Sequence, residues 1–170
     1  MFSNIPPVTK ALLIANGVAF LLQQFLGDAF FDAFKLWPLG AGDADPFAMS
    51  TTFLPWQLLT YGFLHGSFAH VAFNMLALLM FGAPLEYTWG NKRFLTYFLV
   101  CIAGAGLCQL AVGAWTMSQG GNAYPTIGAS GGVFGLLLAY GMLFGWLLIR
   151  YWRGQPPFGK RGPPRPRIVR

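Results

Sequence analysis

Runs of apolar residues, interrupted by a few polar stretches, set the organisation of this chain. Residues 11–27 carry no charge, and neither do residues 68–85. From 94 to 149 no charged residue occurs at all, a stretch far too long for one helix. Residues 116–126, rich in Gly, Ser, Asn and Pro, divide it in two. A helix that crosses a bilayer needs about 20 consecutive apolar residues. The pattern therefore predicts four membrane-spanning helices, at residues 11–27, 68–85, 94–115 and 130–149. The fold class that follows is all-α, a polytopic membrane helical bundle.

The connections have their own character. Residues 28–45 hold four of the five acidic residues, one lysine and the aromatics Phe30, Phe31, Phe34 and Trp37. They read as a hydrophilic loop with aromatic anchors. Residues 47–64, with Pro55 and Trp56, read as an interfacial segment that dips into the membrane. Residues 86–93 form a short turn that ends in Lys92-Arg93. A cleaved signal peptide is a poor account of the first run, because Lys10 alone precedes it and no clear small-residue cleavage site follows.

Charge fixes an orientation. The net charge is +6, and seven of the eleven basic residues follow position 149. Lys10, Lys92-Arg93 and this tail lie on one side of a four-span topology, and the acidic loop lies on the other. By the positive-inside rule both termini are cytoplasmic. The same rule explains the basic tail without nucleic-acid binding. Residues 1–153 form the membrane domain, and residues 154–170 form a basic, Pro-rich tail expected to be disordered. Only 9% of residues are charged and 55% are hydrophobic, far from the composition of a soluble domain. No span carries an acidic or basic residue, which argues against a channel or transporter. Cys101 and Cys108 fall seven apart on one helix face and read as small packing residues.

Few residues can carry chemistry. Gly128-Ala129-Ser130-Gly131-Gly132 is a small-residue turn that opens into the last apolar run. Glycines let other groups approach the Ser130 hydroxyl, and unpaired N–H groups at a helix start can stabilise an anion beside it. Close packing of helices is the other use of Gly128, Gly131, Gly132 and Gly135. His70 and Asn74 lie four apart, on one face of the second span. Such polar groups at membrane depth either face a reacting group or bond between helices. His65 faces elsewhere and reads as structural, holding the preceding loop by a hydrogen bond. The pattern calls for no cofactor and no metal.

The combination is more specific than its parts. His70-Val71-Ala72-Phe73-Asn74 in one span and Gly128-Ala129-Ser130-Gly131 at the head of another are joined by Trp56, His65 and residues 82–86. Together they resemble the rhomboid family of intramembrane serine proteases, most closely its small bacterial members. The resemblance implies that Ser130 is the nucleophile. It also implies that the Ser130 N–H, His70 and Asn74 stabilise the oxyanion, each donor being worth ~3 kcal/mol of barrier. It implies cleavage of transmembrane segments of membrane proteins, within the bilayer of a bacterial inner membrane. Gln57 stands where the family often has Arg, and Phe134 where an aromatic residue packs on the catalytic base.

The base is where the chain departs from the family. The family completes its dyad with a histidine in a pattern His-x-x-Gly-x-x-x-Gly on its last core helix. Here Gly141-Met142-Leu143-Phe144-Gly145 matches the second half, and Leu138 stands at the histidine's place. No histidine follows His70. About four spans replace the family's six. We read this as two helices spliced by an internal deletion, with residues 128–140 from the serine helix and 145–153 from the histidine helix. An ordinary serine helix whose Gly-x-x-x-Gly merely packs is the competing account.

A serine without a base is a poor nucleophile. The expected chain is thus a rhomboid-type endopeptidase by descent that does not cut. The alternatives are a non-catalytic protein that binds transmembrane helices and a non-functional remnant. The run after Ser130 also sets an expectation of depth. Residues 131–149 as one helix measure ~28 Å, nearly the hydrocarbon thickness. With Arg150 at the cytoplasmic interface, Ser130 would sit near the outer boundary, above His70 and Asn74. An inward slide of the helix would instead bring Ser130 level with them.

Overall fold

The computed structural model describes residues 5–39, 52–122 and 124–155, and among these the fold is a helical bundle. Its helices are α1 (Pro7–Leu26), α2 (Asp28–Phe31), α3 (Gln57–Thr60), α4 (Phe68–Trp89), α5 (Asn91–Ser118) and α6 (Ser130–Trp152). The long ones, α1, α4, α5 and α6, are each apolar enough to cross a membrane, which makes this an integral membrane protein. The four spans agree with those expected from the sequence, and each helix runs a turn or so further. Most of the expected 154–170 tail lies outside the described residues.

α1 is an inverted amphipathic helix. Thr9, Asn16 and Gln23, spaced by seven, are buried with Leu12 on one stripe. Ile14, Val18, Leu21 and Phe25 face outward. In a bilayer this is the stable arrangement, because lipid accepts apolar side chains and the polar ones need partners. Thr9 bonds the Glu86 carboxylate of α4, and Gln23 Oε1 accepts the His65 N–H at 2.9 Å. Pro7 starts the helix at a position where a missing N–H does no harm.

α4 is not regular throughout. Between Phe68–Ala77 and Ala83–Trp89 lies a π-helical turn, Leu78–Gly82. Pro84 is the local cause: it has no N–H to give the Met80 carbonyl, and its ring crowds the preceding turn. Gly82 sits inside this turn, closely surrounded by Phe94, Leu78 and Leu136.

α5 and α6 pack along the centre of the bundle, and glycine is the reason they approach so closely. A Cβ on Gly131 would meet Ala105 at 2.5 Å, and one on Gly132 would meet Phe98 at 2.5 Å. One on Gly135 would collide with the Cys101 side chain. Tyr97 on α5 donates its hydroxyl proton to the Gly135 carbonyl at 2.9 Å. Leu78, Leu85, Phe94, Phe98, Ile102 and Leu136 close the core with no exposure. Cys101 packs as expected, whereas Cys108 is exposed.

The segment expected to be a simple hydrophilic loop starts with α2 and a tight 3₁₀ turn, Asp32–Phe34. Phe30, Phe31 and Phe34 cluster there, with Lys35 paired to Asp32 at 2.8 Å. Gln57 is fully buried and holds this segment: Oε1 accepts the Trp37 N–H, and Nε2 donates to the carbonyls of Ala33 and Thr52. Trp56 Nε1 also donates to the Ala33 carbonyl at 2.9 Å. Leu36 and Thr126 then exchange two backbone hydrogen bonds, an isolated antiparallel bridge. It ties this segment to the loop that enters α6.

Candidate active site

The entry into α6 is built by glycine geometry. Gly128 adopts φ +128°, a conformation that L side chains rarely take. Its N–H donates to the Tyr61 carbonyl at 2.9 Å, which anchors the turn. Ala129 is fully buried, and Ser130 begins the helix. The first bond of this helix runs from the Val133 N–H to the Ala129 carbonyl. The N–H groups of Ser130, Gly131 and Gly132 thus have no partner in their own helix.

His70 is aimed at this turn. The point where a Gly128 Cβ would sit lies 2.7 Å from His70 Nε2 and 3.8 Å from Ser130 Oγ. The two side chains converge on one spot, and any residue larger than glycine at 128 would push the imidazole away. His70 is held from several directions. Its N–H donates to Ser67 Oγ at 3.1 Å, the cap of α4, and its carbonyl accepts from Asn74 Nδ2 at 3.0 Å. Its ring meets that of His65 edge-on, with centroids 5.0 Å apart.

This geometry corrects the expected offset between Ser130 and His70. The Ser130 turn lies beside His70, in the first turn of α4, rather than above it. Glycine packing sets that register, and it does so against α5 rather than against the second span. The buried residues of α6, Gly132, Val133, Leu136 and Ala139, all lie in its first ten positions. Further down, Gly141 and Gly145 have nothing within 4 Å among the described residues, so the Gly-x-x-x-Gly pair packs on no neighbour there. α6 nevertheless runs unbroken from Ser130 to Trp152.

Asn74 is one turn below His70 and buried, with its amide group bonded back to the His70 carbonyl. One amide proton is used in that bond, which leaves the other for a reacting group. Leu138 is 62% exposed, two helical turns beyond Ser130. Phe134, one turn after Ser130 on the same face, is 68% exposed. Tyr61 also reaches the site, next to Gly131, but its hydroxyl donates to the Ile102 carbonyl at 2.7 Å. The sequence reading had not singled it out; an aromatic hydroxyl in the dipping segment was the available signal.

His65 is 1% exposed. Its backbone N–H, not its ring, makes the bond to Gln23 that holds this loop. Burial, with His70 beside it, pushes the imidazole down to about 4, so it is neutral at ordinary pH. No group of three or more metal-ligating side chains is present among the described residues.

Known proteins match this sequence. The chain is 36% identical over 85 residues to human Rhomboid-related protein 3, across 50% of this chain and 19% of that protein. It is 40% identical over 82 residues to Rhomboid protease GluP of Bacillus subtilis (strain 168), across 48% of this chain and 14% of that protein. The match thus covers less than a fifth of either relative. A rhomboid domain matches residues 53–158, a stretch that holds α3 to α6 together with Ser130, His70 and Asn74. The chain belongs to the rhomboid family.

Proposed function

We propose that this rhomboid protein receives transmembrane segments of other membrane proteins at the Ser130 site and does not hydrolyse them efficiently. The observation that carries this reading is the convergence of His70 Nε2 and Ser130 Oγ at Gly128, with no hydrogen bond between them and an exposed leucine at position 138. Ser130 is the nucleophile of this reading. Its own N–H, His70 and Asn74 are the donors for an oxyanion. The dyad histidine is missing from these 170 residues, so the hydroxyl lacks the family's base. The unbroken α6, with its unmet Gly141 and Gly145, supports a splice of serine helix to histidine helix by internal deletion.

The substrate side is apolar. Phe134 and Leu138 face outward on the helix that carries Ser130, where another helix in the bilayer can lie against them. The partners are therefore transmembrane segments and the bilayer itself, not nucleic acid. The location is the inner membrane of a bacterium with both termini cytoplasmic, and residues 1–153 act as one membrane domain with residues 154–170 as a tail.

One experiment addresses binding and turnover together. A photo-crosslinking amino acid at Phe134, in liposomes with a generic transmembrane substrate, should give a crosslinked product. Cleavage should not exceed that of a Ser130→Ala control. Absence of the crosslink would sink the binding reading, and clear turnover above the control would sink the claim of impaired hydrolysis.

A further inference from the structure

The 170 residues contain two histidines, and the fold brings one of them to the serine. We propose that His70, rather than a residue of α6, is the proton acceptor for Ser130 in this chain, so that Ser130 can be acylated or phosphonylated once by a reagent with a good leaving group. The proposal rests on the reading of Ser130 as a nucleophile.

Position is the first argument. Nε2 is the His70 atom nearest to the Gly128 turn, at 2.7 Å from the point that also lies 3.8 Å from Ser130 Oγ. The Ser130 hydroxyl and the imidazole therefore border the same point of the turn, which the small Gly128 leaves open between them. The imidazole is also held for the task. Ser67 and Asn74 fix the backbone of His70 on either side, and the edge-on ring of His65 limits how far the imidazole can swing.

Among the described residues, three other candidate bases are engaged elsewhere. Tyr61 gives its proton to Ile102. Glu86 is buried at the other end of the bundle, bonded to Val8 and Thr9. Asp32 is paired with Lys35. Leu138 marks the family's histidine position, but it lies eight residues below Ser130 on the same helix. That separation is ~12 Å along the axis, so a side chain there points to another depth.

The chemistry balances for a fluorophosphonate probe. Ser130 Oγ attacks phosphorus, the Oγ–P bond forms, the P–F bond breaks, and fluoride departs with the bonding pair. The hydroxyl proton passes to His70 Nε2. Fluoride needs no proton to leave. An amide is different, because its departing nitrogen must be protonated, and His70 would have to supply that proton while also serving the oxyanion. This separates a reactive Ser130 from an efficient peptidase.

The test uses the full chain in detergent and a fluorophosphonate probe, with labelling followed by mass spectrometry. Slow labelling of one site per chain is expected, absent in Ser130→Ala. His70→Ala should slow it by at least tenfold, as general-base removal does. His70→Asn keeps a polar side chain of similar size without a base and should be as slow, which covers the case in which His70→Ala does not fold. Added imidazole should restore part of the rate in His70→Ala. Wild-type labelling no greater than that of Ser130→Ala overturns the proposal. Labelling of both His70 variants within threefold of wild type overturns it too. Crosslinking at Phe134 reads the binding claim independently, so failure of one leaves the other standing.

Discussion

Glu86 on α4 closes the N-terminus of α1 through Thr9. One carboxylate oxygen accepts both the Thr9 N–H, at 2.6 Å, and its hydroxyl, at 2.8 Å, while the other oxygen accepts the Val8 N–H at 2.9 Å. The first N–H groups of a helix have no partner of their own, and the helix dipole favours a negative charge there. The carboxylate is 2% exposed, so these bonds are shielded from water. Glu86→Gln turns one acceptor into a donor that faces other donors. It should lower stability in detergent by about 2 kcal/mol, the range for hydrogen bonds to a charged group. An unfolding midpoint equal to wild type would show that α1 docks by other means.

The glycines of α6 should divide into two classes. Gly132→Val drives methyl groups into Phe98 and Ile102. Overpacking of this kind costs ~1–3 kcal/mol and would also lift Ser130 away from His70. Gly141→Ala and Gly145→Ala meet open space and should leave the melting temperature of the monomer unchanged or slightly raised, since alanine favours a helix. A large loss at Gly141 or Gly145, with none at Gly132, would mean that α6 packs through its lower half instead.

Restoring a histidine at the family's position should not restore reactivity. Leu138→His places an imidazole ~12 Å below Ser130 on the same helix, pointing outward. Fluorophosphonate labelling of Ser130 in this variant should match wild type within a factor of two. A tenfold rise would show that the lower part of α6 can fold back toward the serine.

Acid should loosen the loop that holds the site. His65 titrates at about 4 in the folded protein, below its ordinary value near 6.5. Between those values the unfolded chain binds more protons than the folded one. The stability contributed by neutral His65 is therefore complete above about 6.5 and is lost as pH falls toward 4. The neighbour that opposes its charging is His70, edge-on at 5.0 Å. Melting temperatures at pH 7.5 and pH 5 should fall more for wild type than for His65→Asn. Equal falls would place the acid sensitivity in other groups.

The amino-acid pattern by itself determined the class and the spans. Lipid solvates apolar side chains and rejects unpaired backbone, so charge-free runs of about 20 residues leave helices as the available answer. It also determined which residues to watch, because serine between glycines and His-x-x-x-Asn are local features of a helix start and a helix face. Register between helices was decided by the tertiary structure. The register of Ser130 against its neighbours depended on which helix Gly131, Gly132 and Gly135 would meet, and that helix was α5, through Ala105, Phe98, Ile102 and Cys101. Segment length counts residues along one helix and says nothing about how far that helix slides against another. The partners of Glu86, Gln57 and Gln23 were hidden for the same reason. Each bonds across more than 19 residues of sequence, as the pairs Glu86–Val8, Gln57–Trp37 and Gln23–His65 show. A polar side chain inside a membrane announces that it needs a partner, but only packing chooses which.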